Sequence, residues 1–136
     1  MLKQLPIISF ALLAGMNFSL ANEFCREASV KGSYIFFVQG MSAQNLPLAY
    51  AGMLVFDGKG KVEGVAKFSN DSEKAVQGSY KIEKSCRIAV DFPGFEKVTY
   101  FTGPTGDELV YVVTTGRTIA SSAKRVSRNN LLALKP

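Results

Sequence analysis

The chain has 136 residues, 47% of them apolar and 20% charged, with sixteen lysines and arginines against eleven acidic residues. That balance excludes collagen, an acidic disordered chain and a cysteine-dense scaffold, and the length allows one buried core but not two domains. Histidine is absent, which removes the commonest general base, the Ser-His and Cys-His nucleophile pairs and the commonest transition-metal ligand.

Residues 1–21 have the three parts of a secretory signal: Lys3 as the positive start, an apolar stretch from Leu5 to Met16, and the small residues Ser19 and Ala21 before a polar Asn22-Glu23. Pro6, Ser9 and Gly15 interrupt the stretch, which is shorter than the ~20 apolar residues a spanning helix needs. The residues before Cys25 lack the small apolar run of lipoprotein processing. The expectation is a protein of residues 22–136, one domain with a short basic C-terminal tail, periplasmic or secreted, with no transmembrane segment in the mature chain. Cys25 and Cys86 are the two thiols, and in an exported chain they read as one disulfide, with two free buried thiols as the alternative.

In chain order, runs rich in Val, Tyr, Phe, Ile and Thr between Gly, Pro, Asn and Asp clusters predict eight strands, at 32–40, 49–56, 62–69, 76–83, 86–92, 97–102, 109–115 and 118–126. Asp57-Gly58-Lys59-Gly60 is the strongest turn, because glycine supplies the positive φ of a tight hairpin. A helical turn is expected only within 129–134. Val30-Lys31-Gly32-Ser33-Tyr34 returns as Val76-Gln77-Gly78-Ser79-Tyr80, the first copy opening the first expected strand and the second the fourth, which suggests two similar parts. Such meanders lose their edges most simply by closing into one all-β, antiparallel, up-and-down eight-stranded barrel. A chance match, or a shared requirement where a strand starts, explains the echo equally well.

Alternation with charged residues turns Tyr80 and Ile82 inward, and the same parity places Tyr34, Phe36 and Val38 inside and Ile35 and Phe37 outside. Two large apolar residues on an outer face call for a cover, either the tail Leu131-Leu132-Ala133-Leu134 or a partner, unless the strand is buried locally on both faces. The mature net charge of +4 is concentrated from Arg117 onward, where Arg117, Lys124, Arg125, Arg128 and Lys135 have no acidic companion. This end suits an anionic surface or an acidic protein, or else is a solvated last strand. No nucleic-acid motif is present.

The Gly-Ser-Tyr openings, the run from Gly52 through Phe56-Asp57-Gly58-Lys59-Gly60 to Gly64, the lead from Tyr80 to Cys86 and the closing Ser121-Ser122-Ala123-Lys124-Arg125 are similar to small exported bacterial glycine-rich β-barrel proteins of unassigned role. Those resemble calycin-like, lipocalin-like and allene-oxide-cyclase-like barrels. The resemblance implies a fold and no catalytic residue.

No Gly-x-Ser-x-Gly elbow, phosphate loop or dinucleotide fingerprint occurs. Ser122 and Lys124 share a strand face, the minimum for a Ser–Lys pair, and the carboxylates Asp91, Glu96, Asp107 and Glu108 lie at or beside turns. Neither Asp57 nor Asp107 has the acidic spacing of a calcium loop. The expected function is an exported, non-enzymatic binding module without cofactor or metal, holding a small apolar or amphipathic molecule among Tyr34, Phe36, Phe68 and Tyr80. The alternative is an envelope protein-interaction factor with a solid core, an inhibitor, immunity or assembly component, that uses Ile35, Phe37, Lys124, Arg125 and Arg128. A third is a cyclase-like or isomerase-like enzyme that acts by shaping its substrate.

Overall fold

The computed structural model describes residues 24–113 and 118–134. The expected signal segment, 1–21, lies outside them. A short 3-10 turn, Glu27–Val30, leads into eight strands: β1 Gly32–Met41, β2 Pro47–Phe56, β3 Lys61–Phe68, β4 Glu73–Ile82, β5 Arg87–Phe92, β6 Glu96–Phe101, β7 Glu108–Val113 and β8 Thr118–Ser127. Each pairs antiparallel with its neighbours in sequence, and β8 pairs with β1 to close an up-and-down barrel, the fold expected from the alternation. The largest departure at a strand start is β4, which begins three residues before its expected position. Glu73 and Lys74 look like turn residues, but the chain has already turned at 69–72, where Asp71 takes φ 70° and the Phe68 N–H donates to the Ser72 carbonyl.

Closure follows from the turns. The Asp57 carboxylate accepts the N–H groups of Lys59 at 2.7 Å and Lys61 at 3.0 Å, so the β2–β3 hairpin is built from a side chain together with the positive φ of Gly58 and Gly60. Inward positions then follow a period of two around the barrel, burying Tyr34, Val38, Tyr50, Leu54, Phe56, Val62, Tyr80, Ile88, Val90, Phe92, Val98, Tyr100, Leu109, Tyr111, Ile119 and Ala123.

The two ends of the barrel differ. One is closed by the Glu27–Val30 turn, whose Val30 is fully buried, and this turn is anchored by the Cys25–Cys86 disulfide, which spans 61 residues of sequence. By loop-closure entropy such a bridge stabilises by about 4 kcal/mol. The Gly-Ser-Tyr echo acquires a cause here. Tyr34 and Tyr80 stack edge-on against opposite sides of Phe56, at 5.5 and 5.0 Å, and each hydroxyl holds the closing segments: Tyr34 donates to the Gly106 carbonyl and Tyr80 to the Glu27 carbonyl at 3.0 Å. Gly32 and Gly78 serve close approach, since a Cβ at either would fall 2.2 Å from the Ser127 carbonyl oxygen or 2.1 Å from that of Asp91. A shared need for close backbone approach, at the start of β1 and within β4, accounts for the repeat.

Arg125 completes this end. Its side chain is only 5% exposed, and its guanidinium donates to the carbonyls of Ser29 at 3.0 Å, Lys31 at 3.1 Å and Thr105 at 2.6 Å and to the Asp107 carboxylate at 2.6 Å. Ser33, also fully buried, donates to the Asn129 carbonyl at 2.6 Å and accepts the Leu131 N–H at 2.9 Å, which fixes the C-terminal tail. The tail holds a 3-10 turn, Leu131–Ala133, capped by Asn130. It packs near β2 at the closed end and leaves Ile35 and Phe37 50% and 57% exposed, so the expectation that this tail covers them is corrected. Ser33 directs the tail elsewhere.

Replacing Gly78 with alanine is expected to cost about 2 kcal/mol, because the added methyl meets a backbone carbonyl rather than a movable side chain; the urea midpoint measures it, with Ser79→Ala within about 0.5 kcal/mol of the parent. Arg125→Met is expected to cost about 3 kcal/mol through three carbonyls that lose a charged donor, and Asp107→Asn distinctly less, by the same measurement.

Candidate functional site

At the other end the chain turns at 42–46, 69–72 and 93–95, and here the interior is not filled. A second aromatic layer, Phe36, Tyr50 and Phe68, sits above the first, with ring centroids 6.1 and 4.7 Å apart, and on the neighbouring strands β6 and β7 Tyr100 meets Tyr111 at 4.6 Å. On β3, between Val62 and Phe68, the inward positions hold only Gly64 and Ala66, so the wall is thin there. The rings around this near absence of side chain leave a predominantly apolar cavity of about 40 Å³, bounded by Phe36, Tyr50, Leu54, Phe68, Val76 and Phe92. Lys74 and Phe95 also border it, with the Lys74 ammonium 4.1 Å from the Phe95 ring centroid.

Apart from Lys74 and Glu96, the polar side chains that border this chamber are phenols. Tyr111 hydrogen-bonds with Ser121 and Tyr50, and Ser121 donates to the Phe37 carbonyl at 2.7 Å. Burial raises Tyr111 above the ordinary tyrosine range and raises Tyr100 likewise, the neighbouring phenols adding in the same direction. Tyr100 and Tyr111 are therefore neutral at pH 7 and present hydroxyls to the chamber, which Lys74 and Glu96 also border. At the closed end burial pushes Tyr34 up to about 12 against the pull of Arg125, and Tyr80 up to about 12 against backbone donors at Gly60 and Gly58.

Of the residues predicted to line the interior, Phe36 and Phe68 border the cavity, whereas Tyr34 and Tyr80 stand one layer below it and hold the closed end. Tyr50, Tyr100 and Tyr111 were missed. Lys97 and Thr99 against Val98 and Tyr100 carry the alternation that would have found Tyr100. β2 and β7 carry no such signal, because both of their faces are mainly apolar.

On the outside, Phe37, Ser122, Val110 and Phe101 form one cross-strand row over β1, β8, β7 and β6, with Ile35 and Val112 in the flanking rows. All of these apolar members are exposed, from 46% at Val110 to 65% at Val112. Lys124 and Arg128 are exposed, and Arg125 does not join them because its donors are committed within the closed end. Ser122 shares the exposed outer face with Lys124. Among the described residues no three His, Cys, Asp or Glu side chains cluster to hold a metal ion, and no helix is long and apolar enough to cross a membrane.

Fold and chamber together define a disulfide-closed, eight-stranded antiparallel barrel with one sealed end and an aromatic cavity at the other. No protein-family model matches the chain, and neither a curated protein nor a solved structure matches it.

The phenols give a pH prediction. A phenol whose pKa is raised on folding stabilises the fold fully below the unfolded value near 10, and that contribution is lost as pH rises through the folded value. Stability is thus expected to fall between pH 10 and about 12, with Tyr34 and Tyr80 ionising only in that window or on unfolding. Absorbance titration at 295 nm alongside circular dichroism measures both.

Proposed function

We propose that this protein is an exported, non-enzymatic binding module that accepts a small apolar or amphipathic molecule at the open end of a calycin-like barrel. The carrying observation is the cavity behind Lys74 and Phe95, apolar in its lining, furnished with neutral hydroxyls and placed at the only end not sealed by Arg125 among the described residues. A volume of about 40 Å³ suits one or two carbons of an aliphatic group, so the rest of an amphipathic ligand lies outside, beside the Lys74 ammonium. The disulfide supports export, since such bonds persist in oxidising compartments. The meander order and the Gly-Ser-Tyr sequences on β1 and β4 support the calycin-like assignment.

Dissolved xenon is the simplest probe of an apolar cavity. It is expected to shift the methyl resonances of Leu54 and Val76 in the parent protein and not in Ala66→Leu, whose added carbons fill the space. Equal shifts in both proteins, or none in either, would remove the proposal.

A second reading rests on a different observation, the exposed row that includes Phe37, Val110 and Phe101 with Ile35 beside it. A contiguous outer apolar face of this kind fits a partner protein in the cell envelope. Replacing Ile35 and Phe37 together with serine is expected to leave stability within about 1 kcal/mol and to abolish any complex isolated from envelope extracts by native mass spectrometry.

A further inference from the structure

The strand beside the cavity is longer than its partner. β4 has ten residues, Glu73–Ile82, and β5 has six, Arg87–Phe92. On its β3 side β4 is paired from Glu73 to Ser79, but its ladder with β5 runs only from Ser79, opposite Asp91, to Ile82, opposite Ile88. Two positions further in the same register, opposite Gln77, stands Pro93, which has no N–H to donate, and there the chain turns through Gly94 at φ 76°, with the Phe95 ring against the Lys74 ammonium. β4 therefore overhangs the β5–β6 turn along Glu73, Lys74, Ala75, Val76 and Gln77.

The direction of the overhanging backbone groups follows from two hydrogen bonds. The Tyr80 N–H donates to the Gly60 carbonyl and the Ser72 carbonyl accepts from Phe68, so even-numbered residues of β4 face β3. In an antiparallel ladder the direction alternates, so Glu73, Ala75 and Gln77 aim their N–H and C=O groups away from β3. Among the described residues no backbone hydrogen bond meets them there. The same alternation turns the side chains of Lys74 and Val76 toward the barrel interior, and both border the cavity.

We propose that the overhang of β4 docks an extended peptide segment, which adds to the sheet as a strand and lowers one aliphatic side chain into the cavity beside Val76. This rests on the reading of the cavity as a binding site and names its ligand class. A row of alternating donors and acceptors on one edge is matched by polypeptide backbone, and five residues of strand span about 17 Å. The residue facing Val76 occupies a non-hydrogen-bonded pair, the geometry in which side chains come closest. Charge selects against a second copy as occupant, because antiparallel pairing of two overhangs about Ala75 sets each Lys74 ammonium against the other copy's Val76 at the apolar cavity.

The test uses the isotopically labelled full chain and capped threonine pentapeptides whose central residue is glycine, alanine, valine or leucine. The valine peptide is expected to slow hydrogen exchange at the Ala75 and Gln77 amides by about tenfold or more and to bind at least about tenfold more tightly than the glycine peptide, from the apolar area buried. N-methylation of its backbone, or Ala75→Pro in the protein, is expected to abolish both effects; proline at an outward N–H of an edge strand is compatible with the fold, and circular dichroism checks this. Binding that survives N-methylation, binding that shifts Ile35 and Phe37 instead, or protection of the same amides by protein concentration alone overturns the proposal. Xenon contacts at Leu54 and Val76 without any peptide response overturn strand addition and leave the cavity reading in place; loss of both responses removes both.

Discussion

The fold depends on one buried cation. A barrel made of a meander closes only when its last strand meets its first, and β8 meets β1 through a shift in register between Ser33 and Tyr34. Arg125 stands opposite Tyr34 at that shift and carries its charge inward. A buried guanidinium is tolerated only when its donors are satisfied. Here the satisfaction comes from four residues in two distant segments, Ser29 with Lys31 and Thr105 with Asp107, so the requirement of one side chain draws the N-terminal turn and the β6–β7 connection over the same end. Tyr34 and Tyr80 then fasten what the arginine gathers.

That arrangement explains why the chamber lies at the opposite end. Sealing groups, the disulfide and the cap are all placed where β1 begins and β8 ends, and the aromatic layer next to them is packed edge to face around Phe56. Away from that layer no comparable closure of the lumen occurs among the described residues, and between Val62 and Phe68 the inward residues of β3 shrink to Gly64 and Ala66. Position along the barrel axis, rather than residue type, separates the tyrosines that hold the structure from those that face the cavity.

The strand plan was legible in the sequence because alternation and turn chemistry are local signals. Tyr80 and Ile82 against Lys81 and Glu83 fix a parity, and Asp57 with two glycines fixes a hairpin. The exposure of Ile35 and Phe37 followed from the same rule. The site was only half legible, because parity says which residues point inward and nothing about depth. Depth depends on the stagger between strands, and so Phe36 and Phe68 reached the cavity while Tyr34 and Tyr80 did not. Arg125 was misread for a related reason: in a run of cations without acids each side chain reads as solvated, and the shift at Ser33 that turns this one inward belongs to a pairing across the whole length of the chain. The overhang of β4 was hidden because two adjacent charges, Glu73 and Lys74, resemble a turn.

The sealed end has one more consequence, for orientation. Phe24 lies beside the disulfide, with the Lys84 ammonium 5.8 Å from its ring centroid, and the tail through Leu131 is pinned to Ser33 and through Asn130 to Glu63. Both described ends of the chain therefore leave from the same pole. Any tether or fusion attached at either end pulls on the pole opposite the cavity, and a molecule so anchored displays its chamber outward, like a cup standing on its base.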